Sequence, residues 1–328
     1  MTEFIAAAER SLDLAQYDFH LGEGTRELVG GALRDAQARG VAVRIIYNVD
    51  HANPIPVPPP PEPDVQLIES LGVPERAIAG VPDLMHHKYV VRDGASLWTG
   101  STNWTDDSWS RQENVVVTVE SEALARAFSL NFEELWKDGN VERSGFVEPR
   151  PVEVDGERVR PWFTPGFAEA LTHRIAKKIG RARHVRICSP VITSAPVLGT
   201  LAQRIADGDA DIAGCVDATQ VEDVIRQWRT EATVTWKIPL LEQVLAGRFT
   251  GKRSEPWELG SVHNFMHAKV VVADDVVFVG SFNLSHSGEK NAENVLELKS
   301  AEAAQQLTSY VDEVRSRFPA VGSRANPS

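Results

Sequence analysis

Apolar positions along this chain switch between a helical and an extended spacing, and the order of the switches repeats. Phe4, Ile5, Ala8 and Leu12 recur at helical intervals and predict a helix over 3–16. Residues 17–20 read as a short strand. Leu28, Val29, Ala32, Leu33 and Ala36 share one face of a helix predicted over 26–39, with Thr25 as its cap and Gly40 as its stop. The apolar run 41–47 predicts a buried strand. Seven prolines within 54–63 impose an extended surface loop, open to a plain or a protein-binding reading. Strands follow over 88–92, 96–99 and 115–119, then a helix over 121–137 that ends near Gly139.

After a polar, irregular interval at 139–160, the same order returns. Helices are predicted over 167–179, 196–206 and 220–228, with strands over 185–188 and 211–216 between them and another near 233–236. Strands over 269–272, 276–279 and 295–298 precede a closing helix over 301–318. The stretch around Trp162 opens this second half and has no counterpart in the first. Helix, glycine and apolar strand in succession are the rhythm of an α/β protein. A repeat offset of about 181 residues, seen between His86 and His267, is far longer than a solenoid period and points to a duplicated domain. The division expected is a first lobe at 1–140, a linker at 141–160 and a second lobe at 161–328.

Each half carries the same set of polar residues. The first has His86, Lys88 and Asp93, then Gly100-Ser101-Thr102-Asn103, then Glu113-Asn114. The second has His267, Lys269 and Asp274, then Gly280-Ser281-Phe282-Asn283, then Glu293-Asn294. The second copy is one residue shorter between Asp274 and Gly280. One imidazole cannot attack and donate a proton at once, whereas two facing copies supply a nucleophile and a general acid. Two lysines and two asparagines, with the hydroxyls of Ser101 and Ser281, suit the non-bridging oxygens of a phosphoryl group. Glu113 and Glu293 can each accept from an imidazole N–H and set its tautomer. Asp93 and Asp274 end their strands and read as turn caps, a structural role. His87 points away from His86 and reads as packed or exposed, and His263 is ambiguous. Lys177, Lys178, Arg181, Arg183 and Arg186 read as a solvated face or as a patch for a polyanion. An ammonium group two residues from each imidazole repels a divalent cation, so neither a catalytic metal nor a cofactor is expected.

The chain has 328 residues and 42% hydrophobic content, enough for a full core. Its formal charge is −12, with 15 basic and 27 acidic groups up to residue 160 and 19 of each beyond it. Such a surface does not attract long polyanions as a whole. Cys188 and Cys215 make no disulfide framework, and Cys188 reads as a small buried residue. Neither a basic start with a long apolar run nor about 18 consecutive apolar residues is present, so a cytoplasmic chain without a membrane span is expected.

Both copies resemble the HKD motif of the phospholipase D superfamily, His-x-Lys-x4-Asp followed by Gly-Ser-x-Asn, and the resemblance spans nearly the whole chain. It implies two similar α/β/α lobes in a pseudo-twofold arrangement with one active site between them. It also implies a metal-free, two-step phosphodiester reaction through a phosphohistidine. His86 and His267 would be nucleophile and acid. Lys88, Lys269, Asn103 and Asn283 would bind the phosphoryl oxygens, and Glu113 and Glu293 would orient the histidines. A monomer with both motifs in one chain would then suffice. The substrate classes open are a phospholipid, favoured by the acidic charge, and a nucleic acid, which would make the protein a nuclease. A non-catalytic scaffold is disfavoured because both motifs are complete.

Overall fold

A computed structural model describes residues 1–49, 65–246, 248–256 and 263–321. The proline-rich stretch 54–63 lies outside them. The first half supplies β1 (Ser11–Gln16), β2 (Phe19–His20), β3 (Ala42–Val49), β4 (Glu75–Ala79), β5 (Lys88–Arg92), β6 (Ser96–Gly100), β7 (Trp104–Thr105) and β8 (Val116–Glu120). The second supplies β9 (Val152–Val154), β10 (Glu157–Thr164), β11 (His184–Cys188), β12 (Asp211–Asp217), β13 (Phe249–Lys252), β14 (Val270–Ala273), β15 (Val276–Gly280) and β16 (Glu293–Lys299).

Two sheets carry the duplication. The first has the order β4-β3-β1-β5-β6-β8 and the second β13-β12-β11-β14-β15-β16-β10-β9. In each, three strands run parallel and the motif strand, β5 or β14, joins them antiparallel. The β9–β10 hairpin is the one addition to the second sheet, so the segment around Trp162 indeed has no partner in the first. The fold is a duplicated α/β/α arrangement.

Strand alternation divides the motif strands between cores. Tyr89 and Val91 of β5, and Val270 and Val272 of β14, enter one shared core. Val90 and Val271 enter separate cores on the outer faces. The shared core also takes Phe128, Phe132 and Leu135 of helix Glu122–Asp138 and Val311 and Val314 of helix Ala301–Ser316. Apolar burial therefore welds the lobes along the line where the motifs meet.

Four sequence expectations need correction. Residues 3–16 are not one helix: helix Thr2–Ala6 stops early, and Leu12 and Leu14 belong to β1. Pairing with β3 and β5 on both sides outweighs a short helical spacing. The N-cap of helix Glu23–Ala38 is Gly22, while Thr25 Oγ1 donates to the Gly22 carbonyl at 3.0 Å. Residues 233–236 form turns before helix Lys237–Leu245, and β13 takes the sheet position instead. The interval 139–160 is not wholly irregular: a short 3-10 turn (Val141–Arg143), β9 and the start of β10 occupy it.

The approach of β15 to β16 is tight at Gly280, where a Cβ would collide with the Asn294 carbonyl oxygen. Gly280→Ala should lower stability by about 1–3 kcal/mol in urea denaturation. Gly31→Ala, on a helix with open space around it, should be neutral or stabilising by up to about 1 kcal/mol. Equal stabilities for the two variants would contradict the packing described.

Candidate active site

Each motif is hung from the end of a parallel strand. Asn48 Oδ1 at the end of β3 accepts from Met85 N at 2.9 Å, and Asp217 Oδ2 at the end of β12 accepts from Met266 N at 3.0 Å. The backbone then crosses between lobes. His86 N donates to the Ala292 carbonyl and Ala292 N to that of Leu84. Reciprocally, Glu113 N donates to Phe265 and His267 N to Glu113. Both histidines thus sit on short bridges just before their strands. Each lysine turns back, Lys88 Nζ to the His86 carbonyl at 2.8 Å and Lys269 Nζ to the His267 carbonyl at 2.6 Å.

The two imidazoles have different partners. His86 Nδ1 meets Glu293 Oε2 at 2.8 Å. His267 Nδ1 meets not Glu113 but Asn114 Oδ1, at 3.1 Å. Asn114 Nδ2 donates to the Ser108 carbonyl at 3.0 Å and its Oδ1 accepts from Ser101 Oγ at 2.7 Å, so the amide orientation is fixed and His267 must donate through Nδ1. The Glu113 carboxylate instead pairs with Lys252 at 3.2 Å and Arg317 at 3.4 Å, tying the lobes together away from the two imidazoles. The cause is a slip of one residue: Gly100 pairs with Val116, whereas Gly280 pairs with Val295. Equal spacing from glycine to glutamate in both copies conceals this, because cross-strand register decides it. Asn114 is therefore the structural counterpart of Glu293.

Ser101 and Ser281 are also placed differently from expectation. Both are buried, and their hydroxyls accept from Val115 N and Asn294 N at 3.0 Å. They brace the orienting segments instead of reaching for a phosphate. Asn103 and Asn283 each keep a buried amide oxygen with no partner among the described residues; that oxygen is an acceptor, so a phosphoryl oxygen could be held only through the Nδ2–H group. Asp93 and Asp274 lie at the far ends of β5 and β14 with φ of 57° and 52°. Their carboxylates accept backbone N–H groups where the chain enters β1 and β11, Arg10 N at 2.6 Å and His184 N at 3.0 Å among them. His87 is buried with Nδ1 3.3 Å from Asn294 Oδ1, and burial lowers its pKa to about 3, so it stays neutral packing. His263 stacks on Phe265 at 5.4 Å.

Two residues of the first lobe escaped sequence reasoning because they follow a strand read as a helix. The Tyr17 ring lies 4.5 Å from that of His86, and Lys88 Nζ stands 4.7 Å from its centroid. Asp18 is buried, and its Oδ1 has no partner among the described residues. By the pairing of β1 and β11 with their motif strands, Pro190 and Val191 occupy these places in the second lobe.

Burial dominates the site's electrostatics. Burial lowers Lys88 to about 7, resisted by Glu293 and Asp18. Lys269 is lowered well below its usual range by burial and by Lys88. Burial, then Lys269, Lys88 and His86, hold His267 well below 6.5. Burial raises Glu293 and Asp18 to about 7, opposed in each case by Lys88. An anion arriving among these groups would restore the cationic forms of both lysines and His267. Among the described residues, no three His, Cys, Asp or Glu side chains converge as a metal-holding group.

Comparison with known proteins agrees with this arrangement. A family model described as the PLD-like domain of cardiolipin synthase matches residues 1–136 and 175–315. The mitochondrial cardiolipin hydrolase of Homo sapiens is 29% identical over 167 residues, 48% of this chain and 61% of that protein. The protein of that name from Xenopus laevis is 32% identical over 136 residues, 41% and 58% of the two chains. A phospholipase D of Rickettsia bellii is 31% identical over 105 residues, 32% and 49%. The matched stretch thus spans about half to three-fifths of each of these relatives. The phosphatidylserine synthase of Haemophilus influenzae superposes with a TM-score of 0.68 at 12% identity, over 96% of this chain and 82% of that one. The polyphosphate kinase of Porphyromonas gingivalis superposes with 0.61 at 11% identity, over 96% and 45%. No helix among the described residues is long and apolar enough to cross a membrane. With both motifs in place and most of its length matched, the chain belongs to the phospholipase D-like family.

Proposed function

We propose that the protein is a phosphodiesterase of the phospholipase D type, acting on a phospholipid through a phosphohistidine. The observation that carries this is the pair of imidazoles, His86 and His267, each oriented by a side chain of the opposite lobe. His86 Nε2 attacks phosphorus. The leaving alkoxide takes the proton of His267 Nε2. In the second step His267 removes a proton from water or an alcohol, which displaces the phosphoryl group from His86. Lys88, Lys269, Asn103 and Asn283 hold the non-bridging oxygens throughout. The attack is assigned to His86 because the Glu293 carboxylate supports the positive charge of a phosphorylated imidazole better than the neutral Asn114 amide does. The net charge of −12 and the names of the relatives support a lipid substrate. One chain holds the complete site, so specific activity is independent of dilution. The reaction needs no divalent ion, and excess EDTA should leave the rate unchanged; loss of turnover with rescue by a metal would reject this chemistry.

The roles of the histidines are separable. His267→Ala should slow hydrolysis of alkoxide-leaving substrates by about 10²–10⁴-fold. With a p-nitrophenyl phosphodiester, whose leaving group needs no proton, the same variant should still accumulate an adduct on His86, visible by intact-mass analysis under acid-sparing conditions. His86→Ala should form none. An adduct on His267 would reverse the assignment. On a panel of vesicles and single- and double-stranded DNA, hydrolysis of DNA alone would replace the lipid reading with a nuclease.

The pH dependence follows from Lys88. Its ammonium form is the active one and is held down near 7 by burial, with Glu293 and Asp18 opposing that loss and Lys269 close by. Removing the Asp18 charge favours loss of the Lys88 proton. Asp18→Asn should therefore move the alkaline limb of the kcat/KM profile to lower pH, by about one unit. An unchanged profile with reduced activity at every pH would leave Asp18 only a packing role.

A further inference from the structure

The second lobe carries a recess that the catalytic reading does not use. A cavity of about 190 Å3 opens between helix Ala168–Ile179 and the β14–β15 turn, lined by Arg174, Lys177, Lys178 and Arg181 with Asp274 and Asp275. A smaller recess adjoins it, sharing Arg174 and Lys178 and adding Arg158, Arg160 and Lys299 around Glu297. The cavity lies at the far end of β14 from His267. Five residues of extended chain, about 16 Å, separate Lys269 from Asp274.

Charge is concentrated here against the trend of the whole chain. Seven cations from one helix, the following turn and two strands face three carboxylates, in a protein whose net charge is −12. Those carboxylates are largely spent. Asp274 accepts the backbone N–H groups of Arg183 and His184, both at 3.0 Å. Glu297 is buried and accepts from Trp162 Nε1 at 3.1 Å and from Arg174 Nε at 2.8 Å. Arg160 stands 4.0 Å from the same carboxylate, and its Nε is buried with no hydrogen-bond partner among the described residues. Glu297 therefore fixes the Arg174 guanidinium and leaves the nearby Arg160 Nε without a hydrogen bond. None of Arg158, Lys177, Lys178, Arg181 and Lys299 forms an ion pair with another described residue within 4.0 Å. Burial and then the neighbouring Arg174 lower the pKa of Lys178, with Glu297 and Asp275 opposing.

We propose that this recess is a second anion site, distinct from the catalytic cleft, that takes a diphosphate or a clustered phosphomonoester. Fixed guanidinium forks bind such groups in bidentate fashion, and the flexible lysines close over them. The recess, of about 190 Å3, has room for a diphosphate. The same chemistry is offered by a free diphosphate and by a phosphorylated lipid headgroup.

The test is calorimetric titration of the whole protein with inorganic pyrophosphate. The comparison is a Lys177→Glu/Arg181→Glu double variant, both positions being exposed and unpaired. The wild type should show two binding events, one in the catalytic cleft and one in the recess. The variant should lose the recess event or weaken it at least tenfold, with unchanged kcat on bis-p-nitrophenyl phosphate and unchanged Tm. Lys269→Ala should remove the other event. Sedimentation with phosphatidylcholine vesicles, with and without phosphatidic acid, separates the sources. Loss of acid-dependent pelleting in the double variant assigns the headgroup, and loss of pyrophosphate binding alone assigns the free anion. Identical titrations of wild type and double variant would overturn the proposal, because all pyrophosphate would then sit in the cleft. Absence of any second event in the wild type, with no acid-dependent pelleting, would do the same.

Discussion

The reciprocal backbone crossing between lobes is the constraint on which the site depends. His86 N and His267 N each donate to a carbonyl of the opposite half, at Ala292 and Glu113. These bonds fix where each motif ends relative to the other lobe. They bring Glu293 beneath His86 and Asn114 beneath His267. Neither imidazole finds its orienting partner in its own lobe. A single lobe would therefore hold a histidine with an unset tautomer, and would expose the apolar face formed by helices Glu122–Asp138 and Ala301–Ser316.

The duplication gives equivalent backbones and unequal electrostatics. Lys88 has two carboxylates in its surroundings, Glu293 and Asp18, whereas Lys269 has Glu293 alone beside the repelling Lys88. Tyr17 packs on His86, and its counterpart in the second lobe is Pro190, which offers no aromatic face. A carboxylate beneath one imidazole and an amide beneath the other separate the two by charge. The proposed reaction uses that difference, with a covalent phosphoryl group on one imidazole and proton exchange at the other. Strict symmetry would leave both groups competing for both tasks.

Much of this was legible in the sequence, for a physical reason in each case. Strands β5, β6, β14 and β15 are buried on both faces, so their apolar runs are continuous and bounded by Asp-Gly or Asp-Asp turns. The two His-Lys pairs and the asparagines stood out because the same groups occur twice at nearly matching offsets. What stayed hidden depends on pairing between distant segments. The orienting role of Asn114 follows from a one-residue difference in β6–β8 register that leaves the linear spacing unchanged. Ser101 and Ser281 carry hydroxyls suited to a phosphate, yet their backbone neighbours claim them first. β1 was read as helix because its central place between β3 and β5 is a tertiary fact, and Tyr17 and Asp18 were lost with it.

Burial of so many ionisable groups only makes sense in terms of what enters the cleft. Lys88, Asp18 and Glu293 are all held near 7 by desolvation, in opposite directions for the cation and the carboxylates. Taken alone, each shift opposes keeping a charged group in the interior. Taken together, they leave cations whose full charge is restored only when a further anion joins them. The phosphodiester of the proposed reaction would be such an anion, with a charge that persists and redistributes through both of its steps. The shared apolar core between the lobes keeps these groups buried side by side, and that burial is the first cause of each shift.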